Sequence, residues 1–141
     1  MSSRPSEQTL LQANDAFYRS FEELDFSAMA QLWEKSERVY CVHPGWAPLR
    51  GHRAVLDSWK RIIENTEAMH FTLSDVKTAV EGALGIVTVF ENVYSELEGQ
   101  RLASGAAATN LFGWDGQGWK IFHHHAAPAP LAAVAGADWL N

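Results

Sequence analysis

Three consecutive histidines, His123 to His125, are the residues of this chain whose type and spacing most directly suggest chemistry. An imidazole titrates near neutral pH and binds metals, so it can act as an acid, a base or a ligand. The surrounding stretch "KIFHHHAAP" is typical of a strand, in which successive side chains point to opposite faces. We therefore expect His123 and His125 to share one face with Ile121, and His124 to share the other face with Phe122.

A fourth histidine, His43, ends a second short strand-like stretch, "RVYCVHP". It can serve as a general base, as a metal ligand, or as a polar group bonded to a helix end, and the sequence leaves these alternatives open. Together with His123 and His125 it would complete a three-histidine zinc set with an open position. Against a metal, no carboxylate is placed to orient those rings unless Glu91, on the neighbouring long strand, does so.

The elements that must position these side chains fall into two halves of the chain. Apolar residues at helical spacing predict a helix from Ser6 to about Leu24, a short helix after an Asp25 N-cap, and a third helix from His52 to about Asn65. The second half predicts four strands in antiparallel series, with "DGQG" as the last hairpin turn. These strands are "MHFTLSDV", "ALGIVTVFENVYSEL", "RLASGAAATNLFGW" and "WKIFHHHAA". Grouped helices followed by a meander indicate an α+β fold.

Composition limits the classes of function. A chain of 141 residues with 47% apolar and 20% charged side chains fits one folded domain over 1–141, with a core at about 6–128 and a tail at 129–141. A net charge of −6 argues against a nucleic-acid partner, and no apolar run is long enough to span a membrane. The single cysteine, Cys41, suits a reducing cytoplasm and is expected to be a small buried hydrophobe.

Four stretches, "VHPGW", "GHRAVLDSWKRI", "TNLF" and "GWKIFHHHAAP", resemble the SnoaL-like branch of the nuclear transport factor 2-like superfamily over residues 6–128. The resemblance implies a cystatin-like cone in which three N-terminal helices pack in the concave face of a curved, mostly antiparallel sheet. It also implies a pocket between helices and sheet, and a homodimer through the outer sheet face. Phe122 and alternate apolar residues from Ile86 to Leu97 would form that outer patch.

The resemblance implies site positions as well. Ketosteroid-isomerase-like members use a carboxylate base at the end of the first strand, opposite a tyrosine and a protonated carboxylic acid. The matching positions here are His43 for the base, about Phe17 for the tyrosine, and about Asn110 for the acid. A histidine can still act as a base, but only an amide donor would remain of the opposing pair. Steroid isomerisation by that route is therefore not expected.

By the same resemblance, the face that carries His123 and His125 looks into the cone, and Trp46 and Trp59 form pocket walls. The sequence thus predicts a pocket for a small neutral or anionic organic ligand, without a cofactor or a resident metal. Acid–base isomerase, cyclase or lyase chemistry would use His43, His123 and His125. Two alternatives stay open: a ligand-binding or association module without chemistry, and a zinc-dependent hydrolase.

Overall fold

The computed structural model describes residues 4–131, which form three helices and six strands. The helices are α1 (Glu7–Glu22), α2 (Phe26–Leu32) and α3 (His52–Glu64). The strands are β1 (Tyr40–Val42), β2 (Leu49–Arg50), β3 (Ala68–Glu81), β4 (Leu84–Leu97), β5 (Gln100–Trp114) and β6 (Trp119–Ala129). No helix among the described residues is long and apolar enough to cross a membrane. Most of the predicted tail, residues 132–141, lies outside the described residues.

The helix starts are explained by local capping chemistry. At α1 the Ser6 side chain accepts a hydrogen bond from the Thr9 amide, and the Thr9 hydroxyl accepts one from the Ser6 amide. This reciprocal pair satisfies two backbone donors that a helix N-terminus leaves free. At α2 the Asp25 carboxylate accepts from the Ala28 amide. The predicted positions of all three helices are confirmed to within a few residues.

The six strands form one sheet in the order β2-β1-β6-β5-β4-β3. Strands β3 to β6 are an antiparallel meander, as predicted, and "DGQG" makes the turn between β5 and β6. Strand β1 lies parallel to β6, with Cys41 opposite His124. This pairing brings the end of β1, and with it His43, next to the histidine triplet. The two-residue β2 was not predicted because so short a strand has no detectable period.

The three helices pack against the concave face of the curved sheet, and the core lies between them. Its largest fully buried side chains are mostly aromatic and aliphatic: Trp33, Trp59, Phe17, Phe112, Leu10, Met29 and Ile121. Phe17 of α1 packs edge-on against Trp33, at the end of α2, and against Trp59 of α3. These ring contacts join α1 to both of the other helices. The predicted α+β cone is therefore confirmed.

A β-bulge in β6 changes which histidines face the core. Phe112 pairs with Ile121, but the next residue back on β5, Leu111, pairs with His123, so Phe122 is an extra residue without a partner. An extra residue in one strand reverses the alternation beyond it. Ile121 and His124 are consequently both buried, at 0% and 3% exposure. The predicted inward orientation of His123 and His125 is wrong, and so is the predicted outward orientation of His124.

The displaced side chains lie on the outer face of the sheet. The His123 ring stacks on Tyr40 with a centroid separation of 5.0 Å, and His125 is exposed. Phe122, the bulged residue, is partly buried against the hydrophobic core, and the Arg38 guanidinium covers its ring at 3.9 Å. Its predicted place in an outer apolar patch remains a prediction, and a cation already shields part of this ring.

Candidate functional site

A cavity of about 570 Å³ opens between helices α1 and α3 and the inner face of strands β3 to β6. This volume is within the usual range for small-molecule sites. Six aromatic side chains form part of its wall: Phe17, Tyr18, Phe21, Trp46, Trp59 and Phe71. Its polar lining includes Glu91, His43, His124 and two serines, and none of the described lining residues is Lys or Arg. The cavity is thus apolar, with a few polar groups on its walls and no cation to balance an anionic ligand.

Glu91 is the acidic group of this cavity. The alternation of β4 places it on the inner face, where its exposure is 4% and one carboxylate oxygen, Oε2, accepts a hydrogen bond of 2.5 Å from the Tyr18 hydroxyl. Burial raises the pKa of Glu91 to about 7, although the Tyr18 hydrogen bond acts in the opposite direction. The second oxygen, Oε1, makes no hydrogen bond to the described residues. Glu91 can therefore take up and release a proton near neutral pH.

The Tyr18 hydroxyl is held by a second polar group, Asn110. The Asn110 Nδ2 donates to the Tyr18 oxygen at 3.1 Å and to Oδ1 of Asn14 at 2.9 Å. Burial, and then the neighbouring charge of Glu91, raise the pKa of Tyr18, so its phenol keeps its proton. Because an amide nitrogen can only donate, Tyr18 must accept from Asn110 and donate to Glu91.

His124 continues this chain of hydrogen bonds on the other side of Asn110. Its Nδ1 lies 2.6 Å from the Asn110 Oδ1. Burial, reinforced by the charges of neighbouring histidines, lowers the pKa of His124 to about 3, so the ring is neutral at physiological pH. One continuous series, Glu91–Tyr18–Asn110–His124, therefore links two walls of the cavity.

His43 lies beside this series but belongs to a different hydrogen-bond set. Its Nε2 is 2.9 Å from the Ser58 hydroxyl of α3, and its ring packs edge-on against Trp46 and Trp59. Burial lowers the pKa of His43 to about 4. The two cavity imidazoles, His43 and His124, have centroids 6.4 Å apart. Both are neutral groups near pH 7, and each is a weaker base there than Glu91.

The structure brings together most of the residues that the sequence singled out. Five of them line the cavity: His43, Trp46, Trp59, Glu91 and Phe17. Asn110 is fully buried behind that wall, where it supports Tyr18 and His124. His123 and His125 do not line the cavity, since the bulge turns them to the outer face. Glu91 bonds Tyr18 rather than a histidine ring.

The three-histidine zinc set is not assembled, because His123 and His125 lie on the opposite sheet face from His43. Within residues 4–131 no group of three or more potential metal ligands is found. Cys41 is fully buried, and burial raises the pKa of its thiol, as expected for a buried hydrophobe rather than a nucleophile.

Three functional residues were missed from the sequence: Tyr18, His124 and Asn14. Tyr18 lies directly after Phe17, the position that the resemblance suggested for a tyrosine, and a one-residue shift would have found it. His124 could not be found by alternation, because a bulge has no sequence signal in this strand. Asn14 lies on the same helix face as Tyr18, four residues away, and its polar side chain on a buried stripe was the available signal.

Comparison with known proteins agrees with this architecture. A candidate dehydratase of the nuclear transport factor 2-like family from Streptomyces avermitilis superposes with a TM-score of 0.81 and 36% identity, covering 86% of this chain and 95% of that one. A candidate calcium/calmodulin-dependent protein kinase type II association domain from Thiobacillus denitrificans gives a TM-score of 0.76 and 29% identity, covering 89% and 99%. The fold is thus that of the nuclear transport factor 2-like class.

The family is established by a match along most of the chain. Residues 10–131 match the model of the SnoaL-like domain, and the chain belongs to that family. Among curated proteins, the F-box protein SKIP8 of Arabidopsis thaliana is 24% identical over 120 residues, which are 85% of this chain and 49% of that protein. The chain therefore spans about half the length of this curated relative.

Proposed function

We propose that this chain binds a small uncharged organic compound in its cavity and moves protons on it, with Glu91 as the acid–base group. The observation that carries the proposal is the buried carboxyl of Glu91 on the wall of an apolar cavity, with a pKa of about 7. A carboxyl in this condition is available both as acid and as base at neutral pH. Proton transfer of this kind needs no cofactor.

The charge of the cavity supports an uncharged ligand. None of the described lining residues is Lys or Arg, and the burial of His43 and His124 keeps both imidazoles neutral. An anion would lose its hydration and meet the partial negative charge of Glu91 without a cation in return. The sequence allowed neutral or anionic ligands, and the composition of the cavity favours the neutral class.

The reaction class that suits this site is isomerisation or elimination next to a carbonyl group. Glu91 as base would break a C–H bond beside the carbonyl and take the proton, and the electron pair would form an enolate. Where a carbon–carbon double bond adjoins the deprotonated carbon, the electron pair extends over it, and returning the proton to the far carbon completes an isomerisation. Loss of a hydroxyl group, with that proton, completes an elimination of water. The 36% identity to a candidate dehydratase supports the second outcome.

His43 takes a different part in this proposal from the one expected from the sequence. With a pKa of about 4, it is a poor base at neutral pH, and its Nε2 is engaged with Ser58. We assign it to the cavity wall as a neutral polar group that packs against Trp46 and Trp59.

The test uses 2-tetralone, an uncharged aromatic ketone with acidic C–H bonds, in deuterated water near pH 7.5. We expect the protein to accelerate replacement of those hydrogens by deuterium, followed by proton NMR, and we expect Glu91→Gln to abolish the acceleration. Binding without exchange, seen as changed signals of the cavity side chains, would leave a ligand-binding module and refute the catalytic part. Neither binding nor exchange, with this ketone and related ones, would refute the proposal.

Self-association is a second function with its own support. The outer sheet face carries small or apolar side chains on neighbouring strands, Ala107 and Thr109 on β5 beside Phe90 on β4. The similarity to an association domain from Thiobacillus denitrificans supports self-association, and we assign it to a homodimer through this face. The free, buried Cys41 also suits a cytoplasmic setting, which remains part of the proposal.

A further inference from the structure

The hydrogen-bond directions around Asn110 determine which nitrogen of His124 carries the proton. As placed, both amide hydrogens of Asn110 have acceptors, Oδ1 of Asn14 and the Tyr18 oxygen, and the Asn110 carbonyl oxygen faces the His124 Nδ1. If the amide were turned over, its nitrogen would face a single acceptor at most on the His124 side. One N–H of a fully buried residue would then have no partner, which is costly. The orientation as placed gives both N–H groups of Asn110 a partner and leaves the Nδ2 of Asn14 as the unpartnered donor of this network; we take this orientation, and the tautomer measurement below tests it.

With that orientation, His124 must donate from Nδ1, because the carbonyl oxygen of Asn110 can only accept. The ring is neutral and has one N–H, so its Nε2 has no hydrogen and offers a lone pair. Nε2 makes no hydrogen bond to the described residues and is not among the buried polar atoms that lack a partner. Since His124 lines the cavity, this nitrogen has access to it.

His43 is fixed in the opposite tautomer and does not compete for this role. The Ser58 hydroxyl donates to the Val55 carbonyl at 2.6 Å, so its oxygen accepts from the His43 Nε2. The Cys41 sulfur, whose S–H is a weak donor, lies 3.9 Å from the other nitrogen, Nδ1, and 3.7 Å from Nε2. His124 is thus the imidazole whose lone pair has no partner within the described protein.

We infer that Asn110 fixes His124 with a bare Nε2 toward the cavity, and that the cavity therefore selects uncharged ligands that carry a hydroxyl group able to donate to this atom. Asn110 is a positioning residue in this arrangement, and His124 is a specificity-determining one. The inference rests on the proposed ligand-binding function of the cavity and narrows its ligand class. A ligand of the same shape without the donor would leave the Nε2 lone pair desolvated and unpaired.

The first measurement is the tautomer itself. Nitrogen-15 NMR of histidine-labelled protein near pH 7 distinguishes a protonated ring nitrogen from a bare one. We expect His124 to show a protonated Nδ1 and a bare Nε2, and His43 to show the reverse. In Asn110→Leu the preference of His124 should be lost. In Asn92→Leu, which removes another fully buried asparagine side chain from the neighbouring strand, it should remain. A protonated Nε2 on His124 in the unmodified protein would overturn the inference.

The second measurement is ligand binding by calorimetry with two uncharged probes that share one ring system, 2-naphthol and 2-methoxynaphthalene, in which a methyl group replaces the hydroxyl hydrogen. We expect 2-naphthol to bind about tenfold or more tightly, the difference expected for one hydrogen bond to a desolvated group. Asn110→Leu should remove this preference and Asn92→Leu should keep it. Equal binding of the two probes would refute the hydroxyl selection and leave the proposed ligand cavity intact. Failure of both probes to bind would count against the cavity itself and overturn the inference with it.

Discussion

Replacing Glu91 with glutamine should change the pH dependence of stability in a direction set by its burial. The folded protein keeps a proton on Glu91 up to a pH of about 7, whereas an unfolded glutamate releases it near its reference pKa of about 4.3. Between these values the folded state binds more protons, so rising pH favours unfolding. A shift of this size corresponds to roughly 4 kcal/mol, at about 1.4 kcal/mol per pKa unit. Glutamine can still accept the Tyr18 hydrogen bond but does not titrate.

The quantity to compare is the difference in free energy of unfolding between the wild type and Glu91→Gln, not the pH profile of the wild type alone. His43 and His124 have lowered pKa values, so their stabilising contribution is complete above about pH 6.5 and is lost as the pH falls through about 4 and about 3. In the wild type, rising pH therefore increases stability through the two histidines and decreases it through Glu91, and the two effects overlap over part of the pH range. Both proteins contain these histidines, so subtracting their free energies of unfolding removes the histidine contribution.

The assay is urea unfolding, followed by tryptophan fluorescence, at about pH 5 and about pH 8. Relative to the wild type, Glu91→Gln should gain roughly 2.5 kcal/mol of stability at the higher pH compared with the lower one, less than the full shift because pH 5 already lies above the unfolded pKa. The control is Glu81→Gln, which changes an exposed carboxylate at the end of β3. Its free energy of unfolding should differ from that of the wild type by the same amount at both pH values. If the Glu91→Gln difference is also independent of pH, Glu91 titrates as an ordinary carboxyl, and its role at neutral pH is refuted.

Three further changes test the network and the outer face. Tyr18→Phe removes the partner of both Glu91 and Asn110 and should cost about 1–3 kcal/mol, measured by urea unfolding; no loss would contradict the hydrogen-bond series. His124→Ala should lower the free energy of unfolding by at least about 2 kcal/mol, because it removes a buried, hydrogen-bonded ring, whereas His125→Ala should change it by no more than about 0.5 kcal/mol. Equal shifts of the melting temperature for the two variants would contradict the bulged register. Ala107→Arg, on the outer face, should convert the dimer into a monomer, measured by sedimentation, without a change in ligand binding. A wild-type protein that sediments as a monomer at micromolar concentration would refute the dimer.

The sequence predicted the fold well because each element has strong local signals. Ser6 and Asp25 start helices through side-chain caps, and "DGQG" closes the last hairpin through its own backbone preferences. These signals depend on neighbours within a few residues, so they can be read without knowledge of the tertiary structure. The parallel pairing of β1 with β6 joins residues about 80 positions apart, such as Cys41 and His124, and has no comparable local signal.

The site was less predictable because it depends on one extra residue. Alternation along β6 is a sound rule for a regular strand, and it holds from His123 to Ala126, where burial alternates as the rule requires. The unpaired Phe122 reverses the phase once, and every residue beyond it changes face. Because the alternation rule missed this one extra residue, it placed His123 and His125 on the inner face, where the structure has His124. His43, Trp59 and Glu91 line the cavity, and the bulge in β6 does not affect their elements.

The amide at position 110 explains why one carboxyl can act alone in this cavity. The resemblance suggested a carboxylic acid near this position in ketosteroid-isomerase-like members. A carboxylic acid here could donate to Tyr18 only while it kept its proton, and on losing that proton its charge would raise the pKa of Glu91 further. Asn110 donates on one side and accepts on the other without a charge. It therefore joins Tyr18 to His124, leaves Glu91 as the acidic group among the described lining residues, and keeps its pKa close to neutral pH.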